Sequence, residues 1–387
     1  MIKKFFKDAI SSPENHALSF APGRIEFLGN HLDYNQGVVL GMAIDAGIFC
    51  LGVPQSDSSF YMTSEGLEDA IFKGHLENIQ KQEDQFFWAN YPLGVLKELQ
   101  KRNLAPNNGF RLFFSSNLPT SVGLSSSAAL ELATALTLLK LANKKMSKEE
   151  LVKLCRAAEN NFVGMPCGIL DQGTSVHGKK DHLVQIDCSS EVFHNIPLPK
   201  DTQIWIFDTG IKHDLVDSLY STRHQECTEA LEKIRETNSG IPSLASVDQE
   251  LLKQVNLAQN LERRALHVSQ EQTRVQNFCR AIKTDSEART LGKLLVESHV
   301  SSSEKFENSC PELDYLVNAL IQNPSVFGSR LTGGGFGGAV MAWTDSHFTE
   351  SHAEQIALKY RSEFESQAKW YSFKAADGAR YLDFQDL

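Results

Sequence analysis

The side chains best suited to chemistry in this 387-residue chain are a run of hydroxyls at Ser125, Ser126 and Ser127, carboxylates at Glu159 and Asp171, and a forked cation at Arg24. The hydroxyls belong to Leu118-Pro-Thr-Ser-Val-Gly-Leu-Ser-Ser-Ser-Ala-Ala-Leu130, which sets a glycine turn against a long apolar stretch. From Ser126 to Ala142 the residues are almost all Ala, Leu, Thr and Ser, with Glu131 and Lys140 the only charges. That composition reads as a buried helix beginning near Ser125, whose amino end carries free N–H groups and roughly half a positive charge. Gly123, Leu124, Ser125, Ser126, Ser127 and Ala128 would then cradle a phosphate, the glycine allowing close backbone approach and the hydroxyls adding donors or a metal ligand. Ordinary serine capping of a core helix is the competing reading.

Phosphoryl transfer needs neutralised phosphate charge, a divalent cation and an aligned acceptor oxygen. Glu159 lies four residues after Cys155 and eight after Leu151, beside the apolar stripe of its expected helix, where a carboxylate needs either a metal or an arginine partner. Asp171 opens a helix after a Gly/Pro-bearing loop, a place for a catalytic base or an N-cap. Arg24, next to Gly23, offers a fork of donors to a carboxylate, or a surface pair with Glu26. Asn30-His31-Leu32-Asp33-Tyr34 concentrates amide, imidazole and carboxylate, a density that a purely structural turn rarely needs, although Asx turns use the same residues. The third loop, Gly333-Gly334-Gly335-Phe-Gly-Gly338, has too many glycines for a strand interior and implies left-handed or closely approached backbone.

Taken in order, Ala21-Pro-Gly-Arg-Ile-Glu-Phe-Leu-Gly-Asn-His-Leu-Asp-Tyr-Asn35, the Ser-rich turn and Leu331 to Ala339 resemble the three motifs of the GHMP small-molecule kinases. Gly164-Met-Pro-Cys-Gly-Ile-Leu-Asp-Gln172, Asp208 to His213, Asp217 to Cys227 and Ser309 to Asp314 are similar to galactokinase segments. The resemblance runs from about Ser19 to Gly378. It implies ATP and Mg²⁺ as cofactors, with the metal on Ser127 and Glu159, Asp171 as the base for an anomeric hydroxyl and Arg24 beside it. It further implies a pocket in which Asp33 binds the C3 and C4 hydroxyls and Asn30 the C6 hydroxyl, with His31, Gly168 and Tyr220 completing it. The glycines Gly333, Gly334 and Gly335 would lie beside the phosphate loop.

The chain departs from the family pattern Gly-Glu-His-Thr-Asp-Tyr-Asn at Asn30 and Leu32. A neutral amide both donates and accepts and tolerates a C6 carboxylate that a Glu would repel, so galacturonate stands beside D-galactose as a candidate acceptor; N-acetylgalactosamine and L-arabinose are further alternatives for a 1-kinase. A non-catalytic sugar and ATP sensor is a further alternative, opposed by the coexistence of Arg24, Ser127, Glu159 and Asp171. A mevalonate- or homoserine-type kinase is weakened by the sugar loop. Gly41 stands where the family usually has Pro, with no functional reading from sequence.

The expected fold class is α+β, a two-domain GHMP kinase-like fold with mixed sheets packed against helices and the active site between domains 1–196 and 201–387. Strand alternation is found at 25–28, 110–114, 183–186, 204–207 and 339–343, and helical patterns at 147–162, 220–236, 248–282, 286–302, 311–321 and 346–367. Ser147 and Glu150 form a capping-box pattern. A hydrophobic content of 41% and charged content of 22% fit a globular protein. The net charge of -10 opposes a nucleic-acid or anionic-membrane surface. The expected partners are a small-molecule sugar and ATP, with no nucleic acid and no membrane, and the chain is expected to be a monomer. Seven scattered cysteines without a C-x-x-C pair and the absence of a signal-like apolar run point to a cytoplasmic location.

Overall fold

The computed structural model describes Phe6 and residues 16–66, 70–119, 122–211, 216–284 and 286–386. Part of two expected motifs, Thr120 and Ser121 and also Lys212 and His213, lies outside the described residues.

The first half is built on β1 (Ala17–Leu28) and β2 (Val38–Pro54). With β3 (Ser59–Ser64), β4 (Phe72–His75) and β5 (Phe110–Ser116) they form a sheet of order β12-β1-β2-β5-β3-β4. Here β12 is Arg380–Tyr381, which pairs with β1 at Ser19 and Phe20. β6 (His182–Asp187) joins through the first residues of β2, and β7 (Val192–Pro197) extends it. Only β3 and β5 run parallel among these pairs. The sheet is covered by α1 (Asn90–Lys101), α2 (Ser126–Leu141), α3 (Lys148–Ala158) and α4 (Leu170–His177). Helix α2 is buried all round, as its composition requires, and Ser19 and Thr137 bind each other and nearby carbonyls to settle their own hydroxyls between β1 and α2.

The second sheet, β11-β8-β10-β9, is antiparallel throughout: β8 (Thr202–Asp208), β9 (Val326–Thr332), β10 (Ala339–Asp345) and β11 (Lys369–Phe373). Strand alternation divides its faces. Ile204, Ile206, Met341 and Trp343 enter the main core with the first sheet, whereas Trp205, Phe207, Val340 and Ala342 face a second core. That second core is closed by α9 (Pro311–Ile321) and α10 (Glu350–Phe364), while α5 (Val216–Thr237), α6 (Gln249–Gln254), α7 (Gln259–Ala281) and α8 (Ala288–Ser301) supply residues to the main one. The expected helix over 248–282 is thus two helices, separated where Val255 and Ala258 turn extended. Among the described residues no helix is long and apolar enough to cross a membrane.

Candidate active site

A cavity of about 340 Å³ opens where β1, the loop after it, the loop before α4, α5 and the glycine loop after β9 converge. Arg24, Asn30, His31, Asp33, Glu159, Gly168, Asp171, Tyr220, Gly333 and Gly334 all line it, drawn from segments that are up to about three hundred positions apart.

Asp171, in the first turn of α4, does not cap its helix; the N-cap position belongs to Ile169. Its Oδ1 accepts from Arg24 Nε at 2.8 Å and Nη2 at 2.7 Å, and its Oδ2 from the Ser125 hydroxyl at 2.5 Å. Arg24 Nη1 also donates to the Gly123 carbonyl at 2.6 Å, and Leu124 accepts from the Arg24 backbone N–H at 3.0 Å. One guanidinium therefore ties the phosphate-type loop to the carboxylate, its Nε and Nη2 converging on a single carboxylate oxygen in charge-assisted bonds. Ser125 is the N-cap residue of α2 in a left-handed conformation (φ 54°, ψ 49°), and its hydroxyl serves Asp171 rather than its own helix. Ser126 and Gly123 are exposed at this end, Ala128 is buried, and a side chain at Gly123 would meet nothing within 4 Å. Across the gap, Gly333 brings its backbone to the Gly123 carbonyl, 3.8 Å from where a Cβ would stand.

Glu159 ends α3 and begins a π-turn, Glu159–Val163, a wider coil that recurs at functional sites. Its Oε2 accepts from Gln172 Nε2 at 2.6 Å and the Cys167 thiol at 3.3 Å, and the Ser127 hydroxyl also bonds to it. Burial, with the nearby Asp171 charge, pushes its carboxyl upward. No basic side chain pairs with it among the described residues. The arginine partner open from sequence is therefore not found there. Gln172 also reaches the fully buried Glu131, whose carboxyl burial pushes well up.

On the sugar-loop side, Asp33 is pushed up to about 7 by burial and by the charges of Asp171 and Glu26. A Cβ on Gly168 would stand 2.1 Å from Asp33 Oδ2, so glycine is required for that carboxylate to keep its place. His31, also left-handed (φ 59°), bonds Tyr34 Oη and the Gly334 carbonyl through its two nitrogens; burial holds it down at about 3, so it is neutral. Tyr220 packs on His31 and against Gly334. Asn30 is fully buried and its amide is spent: Nδ2 donates to Glu26 and to the Gly333 carbonyl, while Oδ1 accepts from Ser302 and Asn308. All four hydrogen-bond positions of an amide are thereby filled by protein. Leu32 is fully buried. Gly41 lets α4 approach β2, since a Cβ there would lie 2.1 Å from Thr174 Oγ1.

The anchors missed in sequence come from the second half. Glu271 on α7, fully buried, accepts from the Gly29 and Asn30 backbone N–H groups, both at 3.0 Å, from Ser298 Oγ at 2.7 Å and from Arg274 Nε at 2.7 Å. Burial opposes its charge, but Arg274 and these donors hold it down at about 2. Arg330 on β9 donates to Glu26 Oε1 at 3.1 Å. Such long-range pairs have no spacing in the chain by which they could have been found.

Two sheets with this helix cover, a Ser-rich turn opening an apolar helix, and a facing glycine loop define a GHMP small-molecule kinase. Family models agree: "GHMP kinases N terminal domain" matches residues 90–179 and "GHMP kinases C terminal" residues 275–366. "Galactokinase galactose-binding signature" matches residues 4–54. The chain is 36% identical over 363 residues to a galactokinase of Thermotoga neapolitana, covering 94% of this chain and 99% of that one. It is 34% identical over 388 residues to a galactokinase of Bacillus subtilis, covering 98% of each. The crystal structure of Lactococcus lactis galactokinase complexed with galactose superposes with a TM-score of 0.92 at 28% identity, over 98% of this chain and 99% of that one. Mevalonate kinase of Methanococcus jannaschii, at 18% identity and a TM-score of 0.64 over 95% of this chain and all of its own, shares the fold. This chain belongs to the galactokinase family.

Proposed function

We propose that this chain transfers the γ-phosphate of ATP to the anomeric hydroxyl of D-galactose, giving galactose 1-phosphate and ADP. The observation that carries the reading is one cavity in which Asp171, gripped by Arg24 and Ser125, faces the carboxylate of Asp33. Asp171 takes the proton of the C1 hydroxyl; its oxygens retain acceptor capacity beside the bonds they already make. Arg24 holds that carboxylate toward the cavity and compensates charge developing on the sugar oxygen and the transferred group. Asp33 accepts from the C3 and C4 hydroxyls, with Gly168 and Tyr220 as walls, and distinguishes an axial from an equatorial C4 oxygen. The amino end of α2, from Gly123 to Ala128, and the loop at Gly333 to Gly335 supply backbone N–H groups to the phosphates.

Ser127 and Glu159 would hold Mg²⁺, which would supply charge neutralisation to the ATP phosphates. The fit rests on two adjacent oxygen donors and a buried carboxylate without a cation partner among the described residues. All seven cysteines are free, which supports action in the reducing cytoplasm.

The test is Mg²⁺-ATP-dependent ADP release with D-galactose, galacturonate, N-acetylgalactosamine, L-arabinose and glucose, using Asp171→Asn as the blank. Turnover chiefly on D-galactose supports the proposal. Preference for galacturonate would overturn the substrate, and binding of sugar and ATP without ADP release would make the chain a sensor.

A further inference from the structure

Gly29 and Asn30 present two successive backbone N–H groups on one side of the loop that precedes Asp33. Gly29 has φ 112° and His31 φ 59°, so the loop turns through left-handed backbone on both sides of Asn30. Consecutive N–H groups in such a turn form a concavity for an anion. Here a single oxygen, Glu271 Oε1, accepts from both at 3.0 Å, while Oε2 takes Arg274 Nε at 2.7 Å. The same helix supplies His267, whose Nε2 meets the Asn30 carbonyl at 3.2 Å and whose Nδ1 is tied to Ser301. Helix α7 therefore grips Asn30 at both its N–H and its carbonyl. None of Glu271, Arg274 or His267 lines the sugar cavity.

We infer that Glu271 is a positioning residue for sugar binding: its carboxylate is the resident anion of the Gly29–Asn30 backbone concavity and fixes the loop that presents Asp33. The inference rests on the sugar-kinase reading above. Its physical basis is directional. An amide at 271 keeps an acceptor for the loop or for Arg274 but loses the charge that serves both, and the loop can then relax without disturbing Arg24, Gly123 and α2; on the phosphate side only the glycine loop, bonded to Asn30 and His31 through the Gly333 and Gly334 carbonyls, is shared.

The experiment compares the unmodified chain, Glu271→Gln and Glu271→Ala in steady-state kinetics with D-galactose and ATP, with sugar binding measured by calorimetry and folding by circular dichroism. Galactose-dependent ADP release by the unmodified chain tests the function separately, so failure there is distinct from failure of the clamp. For Glu271→Gln the sugar KM and Kd should rise about 10- to 100-fold, the loss expected for hydrogen bonds to a charged group. The ATP KM should rise far less than the sugar KM, a split that general loosening of the fold would not give. Arg274, the cation that pairs with Glu271, borders an open groove of about 480 Å³ between α7 and α8, and formate is small enough to occupy the space that Glu271→Ala vacates beside it. Added formate should restore sugar affinity to that variant in a saturable way and leave Glu271→Gln, whose site stays filled, unchanged. A folded Glu271→Gln with unchanged sugar KM and Kd, or one whose ATP and sugar constants worsen equally, overturns the inference. Should Glu271→Ala not fold, the Gln variant alone decides.

Discussion

Asp171 and Asp33 are two carboxylates with different neighbours, and the difference underlies the separate tasks proposed for them. Asp171 is fixed by three donors from Arg24 and Ser125, so Asp171→Asn should keep ATP binding and lose about 10²–10⁴-fold in kcat, measured by ADP release. Ser125→Ala should lower kcat about tenfold with the ATP KM nearly unchanged, because the hydroxyl donates to Asp171, the proposed base. Asp33 has no basic partner among the described residues, and its ordinary value of 3.8 is raised to about 7. Between those values the folded, sugar-free protein binds more protons than the unfolded chain, so stability from this group is lost as pH rises toward 7. In the proposed function sugar hydroxyls donate to the ionised form, so galactose binding should strengthen over that same rise, with its midpoint near pH 7. Asp33→Asn should flatten the pH dependence of galactose Kd and, at pH 8, melt at a higher temperature than the unmodified chain while binding galactose poorly.

The elements differ in how far sequence revealed them. Helix α3 was plain: Ser147 and Glu150 make the reciprocal cap that their spacing implies, and Ser147→Ala should cost about 1 kcal/mol in denaturant unfolding without moving either KM. The π-turn that follows was hidden, because Glu159 to Val163 continues an ordinary helical pattern and only the packing of Glu159 around Gln172 and Ser127 shows the wider coil. β2 was missed for a different reason. It is buried on both faces along most of its length, so it shows no alternation, and a continuous apolar run does not separate strand from helix. The site was legible where motifs carry chemistry: Arg24, Asp33, Glu159 and Asp171 do meet in one cavity. Asn30 was expected to face the sugar at C6, yet its amide is consumed by Glu26, Gly333, Ser302 and Asn308, partners whose convergence depends on tertiary structure alone.

Across the whole molecule, the second sheet is fastened to the first by Arg330, fully buried on β9, reaching Glu26 on β1. Removing the cation leaves a buried carboxylate uncompensated, so Arg330→Met should destabilise by about 3–5 kcal/mol in urea unfolding. Glu26→Gln introduced with it should recover part of that loss, since the orphaned charge is then gone too.

The pairing of β12 with β1 has a bearing on biosynthesis. Ser19 and Phe20 emerge from the ribosome early, whereas their neighbours Tyr381 and Arg380 are translated some 360 codons later. Until then Ser19 and Phe20 form an uncovered stretch of strand edge, ready to pair with another nascent chain. Premature termination anywhere before Arg380 would therefore yield a polypeptide prone to aggregate, even one already carrying Arg24, Asp33, Glu159 and Asp171.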